Sequence, residues 1–144
     1  MRRNLKIERV YPFPPEVLWQ ALTEREALAQ WLMENDFIAE VGHKFQFRTR
    51  PAPGFDGIVN CEVLVVEPLR RLSYSWASGK NRTVVTWELE AVAEGTRLRL
   101  HHEGFDGLNG LLVSFILEAG WKRMFKGSFL QLLQKEQVIR ACDH

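Results

Sequence analysis

With 144 residues, 46% of them apolar and 26% charged, the chain has the size and usage of one globular domain, read here as spanning residues 1–144. That composition excludes disordered and fibrous classes. Nineteen Lys and Arg against eighteen Asp and Glu leave a net charge of +1, without the strong basic excess of a dedicated nucleic-acid binder.

Leu5 to Val10 reads as a first strand. Tyr11-Pro12-Phe13-Pro14-Pro15 ends it, because proline lacks a ladder N–H and suits the first turn of a helix. A helix over Glu16–Leu22 follows, with Val17, Leu18, Ala21 and Leu22 on one face. Thr23-Glu24-Arg25-Glu26 fits a capping box, so a second short helix is expected from Glu26 to Leu32 with Ala27, Leu28 and Trp31 inward. Lys44–Arg50 alternates as a strand, Phe45 and Phe47 on one side, and Pro51–Gly57 is a turn-rich loop. Ile58–Glu67 is a long β-branched strand of open phase. Val59, Cys61, Val63 and Val65 make as good an apolar face as Ile58, Asn60, Glu62 and Leu64, and a bulge can change the side midway. Leu72, Tyr74 and Trp76, then Val85, Trp87 and Leu89, then Leu98, Leu100 and His102 alternate with polar neighbours on three further strands. Turns at Ser78–Asn81 and Glu94-Gly95 separate them.

After Gly104-Phe105-Asp106-Gly107, one amphipathic helix is expected over roughly Leu111–Val138, with Leu117, Trp121, Met124, Phe125, Phe129 and Leu132 on its apolar stripe. Gly120 and Gly127 within it each cost about 1 kcal/mol relative to alanine, which close approach to a sheet or room for a ligand would explain. The helix must lie on an apolar surface, and the inner face of an antiparallel sheet is the one available. The resulting class is α+β: a curved antiparallel sheet of six or seven strands wrapped round a long C-terminal helix, with two short helices after the first strand. This is the element order of a helix-grip fold.

Particular stretches sharpen this. Ile7-Glu8-Arg9, Pro14 to Thr23, Ala29 to Leu32, Gly57-Ile58-Val59, Val66-Glu67-Pro68, Leu72 to Trp76, Thr83 to Leu89, Gly95 to Leu98, His102 to Phe105 and Gly120-Trp121 resemble, in order, the family related to the activator of heat-shock protein 90 ATPase. That family belongs to the START-like, or SRPBCC, superfamily, and the resemblance covers residues 5 to 134. It implies a helix-grip fold with an internal cavity between sheet and C-terminal helix. Members of the superfamily include lipid and hormone carriers, polyketide cyclases and co-chaperone domains.

Phe45, Phe47, Tyr74, Trp76, Trp87, Trp121, Met124 and Phe125 are expected to converge between sheet and helix, as a packed core or as the lining of a ligand cavity. His102 points inward by alternation. There it bonds within the core, to a backbone carbonyl or to Tyr74, or it orients a ligand, or it acts as the candidate catalytic acid/base. Glu62 joins the ligand set if its side of the strand is concave. Arg48, Arg50, Arg70, Arg71, Arg97 and Arg99 are expected on the outer face, interleaved with Glu88 and Glu90. No metal-ligand spacing, nucleophile elbow or phosphate-cradling motif is present, so no metal or other cofactor is expected. The leading expectation is a protein that binds a small apolar or amphipathic molecule. A cyclase or dehydratase using His102, and a module acting on a chaperone ATPase, are the alternatives. Cys61 and Cys142 form neither a disulfide framework nor a zinc motif, which fits a reducing, cytoplasmic setting. Met1-Arg2-Arg3 leads into Lys6, Glu8 and Arg9 rather than a signal-peptide apolar region. The apolar runs near Leu111 fall short of the ~20 residues of a membrane span, so no membrane insertion is expected.

Overall fold

Period-two alternation becomes seven strands in one antiparallel sheet. They are β1 (Arg2–Tyr11), β2 (Glu34–Asn35), β3 (Lys44–Arg48), β4 (Ile58–Glu67), β5 (Arg71–Ser78), β6 (Asn81–Val92) and β7 (Gly95–Asp106), in the order β1-β7-β6-β5-β4-β3-β2. The computed structural model describes the backbone of residues 2–142 and the side chains of residues 2–136, so the Cys142 side chain lies outside the described residues. Strands β3 to β7 form a meander, and β1 returns beside β7, pairing from Arg2 against Asp106 to Tyr11 against Thr96. Helices α1 (Pro15–Thr23) and α2 (Arg25–Trp31) follow β1, and α3 (Gly107–Lys126) and α4 (Ser128–Cys142) end the chain.

The expected single C-terminal helix is two helices. Gly127, at φ −113° and ψ −97°, breaks it, and a Cβ there would stand 3.1 Å from the Arg123 carbonyl. The Phe125 carbonyl, left over in the last turn of α3, accepts the Tyr11 hydroxyl at 2.7 Å and the Arg9 guanidinium at 3.3 Å. Helix α3 also starts earlier than expected. The Gly104–Gly107 stretch is not a loop: β7 continues to Asp106, whose carboxylate then caps α3 by accepting the Gly107 N–H. Gly120 makes no close approach, since a Cβ there would meet nothing within 4 Å.

The capping box at Thr23 is also overturned. Thr23 is still helical, its hydroxyl donates to the Trp19 carbonyl at 2.7 Å, and Glu24 caps α2 with no side-chain bond. Strand β3 stops at Arg48, and the two-residue β2 pairs with its end, Glu34 against Arg48.

In β4 the bulge settles the phase. Val59, Cys61 and Val63 are buried, the register shifts between Val63 and Val65, and Val66 then pairs with the buried Leu72. The apolar set moves from odd to even positions across one extra residue.

The outer sheet face carries the expected charge lattice. Arg97 and Arg99 pair with Glu8 and Glu90, Arg71 bridges Glu67 and Glu88, and His101 reaches Glu88 at 2.8 Å. These pairs are partly exposed and screened by solvent, so they contribute little to stability. Most of the stabilisation comes from the inner face, where each fully buried large apolar side chain contributes about 1.5–3 kcal/mol.

At the tight β6–β7 turn Gly95 has φ +143°, and a Cβ there would lie 2.1 Å from the Tyr11 carbonyl oxygen and 2.9 Å from the Phe13 nitrogen. Gly95→Ala is therefore expected to lose more than ~1 kcal/mol of unfolding free energy, because backbone rather than a flexible side chain occupies the space. Urea denaturation of the variant checks this. Wild-type stability would show that β1 and the turn part easily.

Candidate functional site

The helix backbones come closest to β1, β2, β6 and β7. Over β3, β4 and β5 the inner face is covered chiefly by aromatic side chains. Phe45, Phe47, Tyr74 and Trp76 stand there in phase, and Phe37, from the segment before β3, closes on Phe45 at 5.0 Å and Tyr74 at 6.3 Å between ring centroids. The rings continue as a chain. Phe47 meets Trp76 at 5.5 Å, Trp76 meets Trp121 at 5.6 Å, Trp121 meets Trp87 at 5.5 Å, and Trp87 stacks on Phe125 at 6.0 Å. All of these are buried, while Met124 is half-buried. Sequence alternation and the helix stripe thus converge as expected.

One polar thread runs through the rings. His102 is fully buried, its Nε2 lies 2.8 Å from the Thr83 hydroxyl, and its Nδ1 lies 3.1 Å from the Trp121 indole nitrogen. Each role is forced. An indole nitrogen only donates, so His102 Nδ1 accepts. The Thr83 hydroxyl donates its single proton to the Trp76 carbonyl at 2.9 Å, so it accepts from His102 Nε2–H. The imidazole is therefore the neutral Nε2–H tautomer. Protonation at Nδ1 would set two N–H groups against each other, and burial pushes the pKa down from 6.5 to about 3.

His102 does not bond Tyr74 or a backbone carbonyl. The Tyr74 hydroxyl instead accepts the Trp87 indole N–H at 3.0 Å, and burial raises its pKa. Thr83 was not foreseen as the imidazole's partner. Its signal was present, since it alternates in phase with Val85 and Trp87.

Glu62 stands apart from this set. It lies with Asn60 and Leu64 on the side of β4 turned away from the helices, opposite Lys44, with its backbone N–H donated to Ser75. The buried side of that strand at this point is Cys61 and Val63, because the bulge comes only after Val63. Burial raises the pKa of the Cys61 thiol, so it behaves as a small apolar group rather than a nucleophile.

Two grooves open at the surface. One, of about 380 Å³, runs between β1 and α3 and is bounded by Lys6, Ile7, Glu8, Arg9, Lys122, Phe125 and Lys126. The other, of about 310 Å³, lies at β3 and β4 beside Asp36, Lys44, Gln46 and Asn60. Neither is bounded by His102, Trp76 or Trp121. Among the described residues no helix is long and apolar enough to cross a membrane, and no three His, Cys, Asp or Glu side chains gather as metal ligands would.

Comparison with solved structures places the architecture. The chain superposes on protein MLL2253 from Mesorhizobium loti with a TM-score of 0.83 and 36% identity, covering 92% of this chain and 98% of that one. For protein BH1534 from Bacillus halodurans the TM-score is 0.78 at 28% identity, over 92% and 98%. DynU16, described as a putative protein in the dynemicin biosynthetic locus, gives 0.75 at 26% identity. That match covers 91% of this chain but only 47% of DynU16, so the chain spans about half of it. Comparison with curated protein sequences gives no match. The family model described as activator of Hsp90 ATPase homolog 1-like protein matches residues 12–134, which takes in all of the sheet but β1, both short helices, and α3 with its Trp121. With its seven-stranded antiparallel sheet and C-terminal helices in the helix-grip arrangement, the chain belongs to the activator of Hsp90 ATPase homolog 1-like family, within the START-like, or SRPBCC, fold.

Proposed function

We propose that this protein binds a small apolar or amphipathic molecule between the inner face of β3–β5 and helix α3, and that it does so without chemical turnover. One observation carries the reading. The part of the concave face with the most large rings is the part that, among the described residues, the helix backbones approach least closely. An apolar ligand there would replace ring–ring contacts with ring–ligand contacts, at little net loss of burial. Leu117 and Val113, one and two turns before Trp121, and Met124 after it are half-buried on the core. Of these, the unbranched Met124 adapts most readily to a guest. His102 serves as a positioning residue, because both its nitrogens are already engaged and its pKa lies far below neutrality. That engagement favours binding over acid–base catalysis. The description of DynU16 as part of a biosynthetic locus agrees with a small-molecule role.

The test is a thermal-shift series with three probes: naringenin for flavonoids, lauric acid for fatty acids and emodin for polyketide-like aromatics. A ligand at a hundred times its dissociation constant adds about 2.7 kcal/mol. At roughly 2–4 °C per kcal/mol for a domain of this size, Tm rises by about 5–10 °C. A saturable rise with at least one probe, diminished in Trp76→Leu, is the expected result. No rise with any of the three, or a rise unchanged in Trp76→Leu, would contradict the assignment to this face.

A further inference from the structure

We propose that the outer face of α3 is a homodimer contact, two copies pairing antiparallel about a two-fold axis. Helix α3 carries two apolar faces. The inner one, with Gly110, Ser114, Trp121 and Phe125, is buried against the sheet. On the opposite side stand Leu108, Leu112, Phe115 and Ile116, which are 71%, 58%, 54% and 71% exposed. Their spacing of i, i+4, i+7 and i+8 makes one continuous stripe. Four large apolar side chains in one exposed stripe mark a contact surface rather than ordinary surface scatter.

The order of residues along the stripe identifies the occupant. Leu112 and Phe115 flank its midpoint, and Leu108 and the exposed Ala119 end it. Antiparallel pairing about that midpoint sets Leu112 of one copy against Phe115 of the other and Leu108 against Ala119, apolar against apolar, with the Arg3 guanidinium lying over the Phe115 ring. This is an isologous contact, in which the same patch serves both subunits.

The same pairing brings Lys122, just past one end of the stripe, beside Asp106 of the other copy, just before the opposite end. Neither side chain makes an ion pair among the described residues. Asp106 uses one carboxylate oxygen to cap the helix, which leaves the other for a lysine. Lys122, Arg123 and Lys126 of the two copies fall at opposite ends of the contact, away from each other, and the helix dipoles run in opposition. An anionic lipid surface fits less well, because exposed Glu103 and Asp106 flank the N-terminal end of the stripe.

Sedimentation velocity of the full chain, over a concentration series up to about 100 µM, tests the proposal. The expected species is twice the 16.8 kDa chain mass. The double variant Leu112→Glu/Ile116→Glu is expected to sediment as a monomer with an unchanged far-ultraviolet circular dichroism spectrum, since both side chains are exposed. Lys122→Glu is expected to weaken the dimer at least tenfold. A wild-type monomer throughout the series overturns the proposal. So does a dimer unaffected by the double variant, which would place the interface elsewhere. Co-sedimentation of a monomeric wild type with phosphatidylserine vesicles, lost in the double variant, overturns it in favour of a lipid surface.

Discussion

Trp121→Ala is expected to lower the unfolding free energy by about 3–5 kcal/mol, the range for deleting a buried large aromatic ring. The side chain is 1% exposed and is held on three sides, by Trp76, Trp87 and His102. Among the described residues it is also the only donor to His102 Nδ1. For a domain of this size the loss is a fall in Tm of roughly 6–20 °C. Trp121→Phe separates the two contributions. It keeps much of the ring packing but leaves Nδ1 without a donor, and is expected to cost about 1–3 kcal/mol. Urea denaturation of both variants reads these values. A loss below ~1 kcal/mol in the alanine variant would mean that the ring is not wedged between helix and sheet.

The second large effect is on pH. In the folded protein the His102 pKa is lowered to about 3, against an ordinary 6.5 once unfolded. Above pH 6.5 both states hold the ring neutral, and the shift contributes nothing. Below it the unfolded chain takes up a proton that the folded chain refuses, so stability falls as pH falls, by about 1.4 kcal/mol per pH unit down to the folded pKa. Relative to pH above about 7.5, the loss at about pH 4.5 is about 2.7 kcal/mol. The carboxylates of Glu8, Glu88 and Glu118 are held below their usual range by Arg99, by Arg71 with His101, and by Arg3 respectively. Their contribution is lost only at lower pH, and Glu24, whose carboxyl is pushed up by burial and by Glu136 and Glu26, works in the opposite sense, so the fall in stability in the upper window is assigned to His102. His102→Gln is expected to flatten the stability–pH slope there by about one proton. An unchanged slope in that variant would show that His102 is not the group refusing the proton.

The sequence carried the fold well wherever alternation was one-sided. In β5, β6 and β7 apolar and polar residues take turns cleanly, so Tyr74, Trp76, Trp87 and His102 were placed inward from pattern alone, and they are inward. In β4 both faces are apolar, and phase could not decide where Glu62 points. Only the bulge between Val63 and Val65, a property of the pairing, resolves it. The break at Gly127 was hidden for a similar reason. The stripe Trp121, Phe125, Phe129, Leu132 keeps helical spacing across it, while the donors that take over the Phe125 carbonyl come from β1, far away in sequence.

The candidate site divides along the same line. Which residues face inward follows from periodicity. Which atoms meet depends on how α3 is seated along the sheet, and the Trp121–His102–Thr83–Trp76 thread joins that helix to three strands. The outer apolar stripe of α3 is not legible in a helix that begins at Leu111, because Leu108 then falls outside it.

As proposed, the ring-covered inner face of β3–β5 receives a ligand. The most direct measurement follows the five tryptophan indole N–H resonances while naringenin, lauric acid and emodin are titrated into the protein. A binding probe is expected to shift the signals of Trp76 and Trp121, which meet at 5.6 Å within the face, and to leave that of the half-buried Trp19 on α1 in place. Shifts confined to Trp19, or signals of Trp76 and Trp121 that stay fixed while a probe binds, would contradict it.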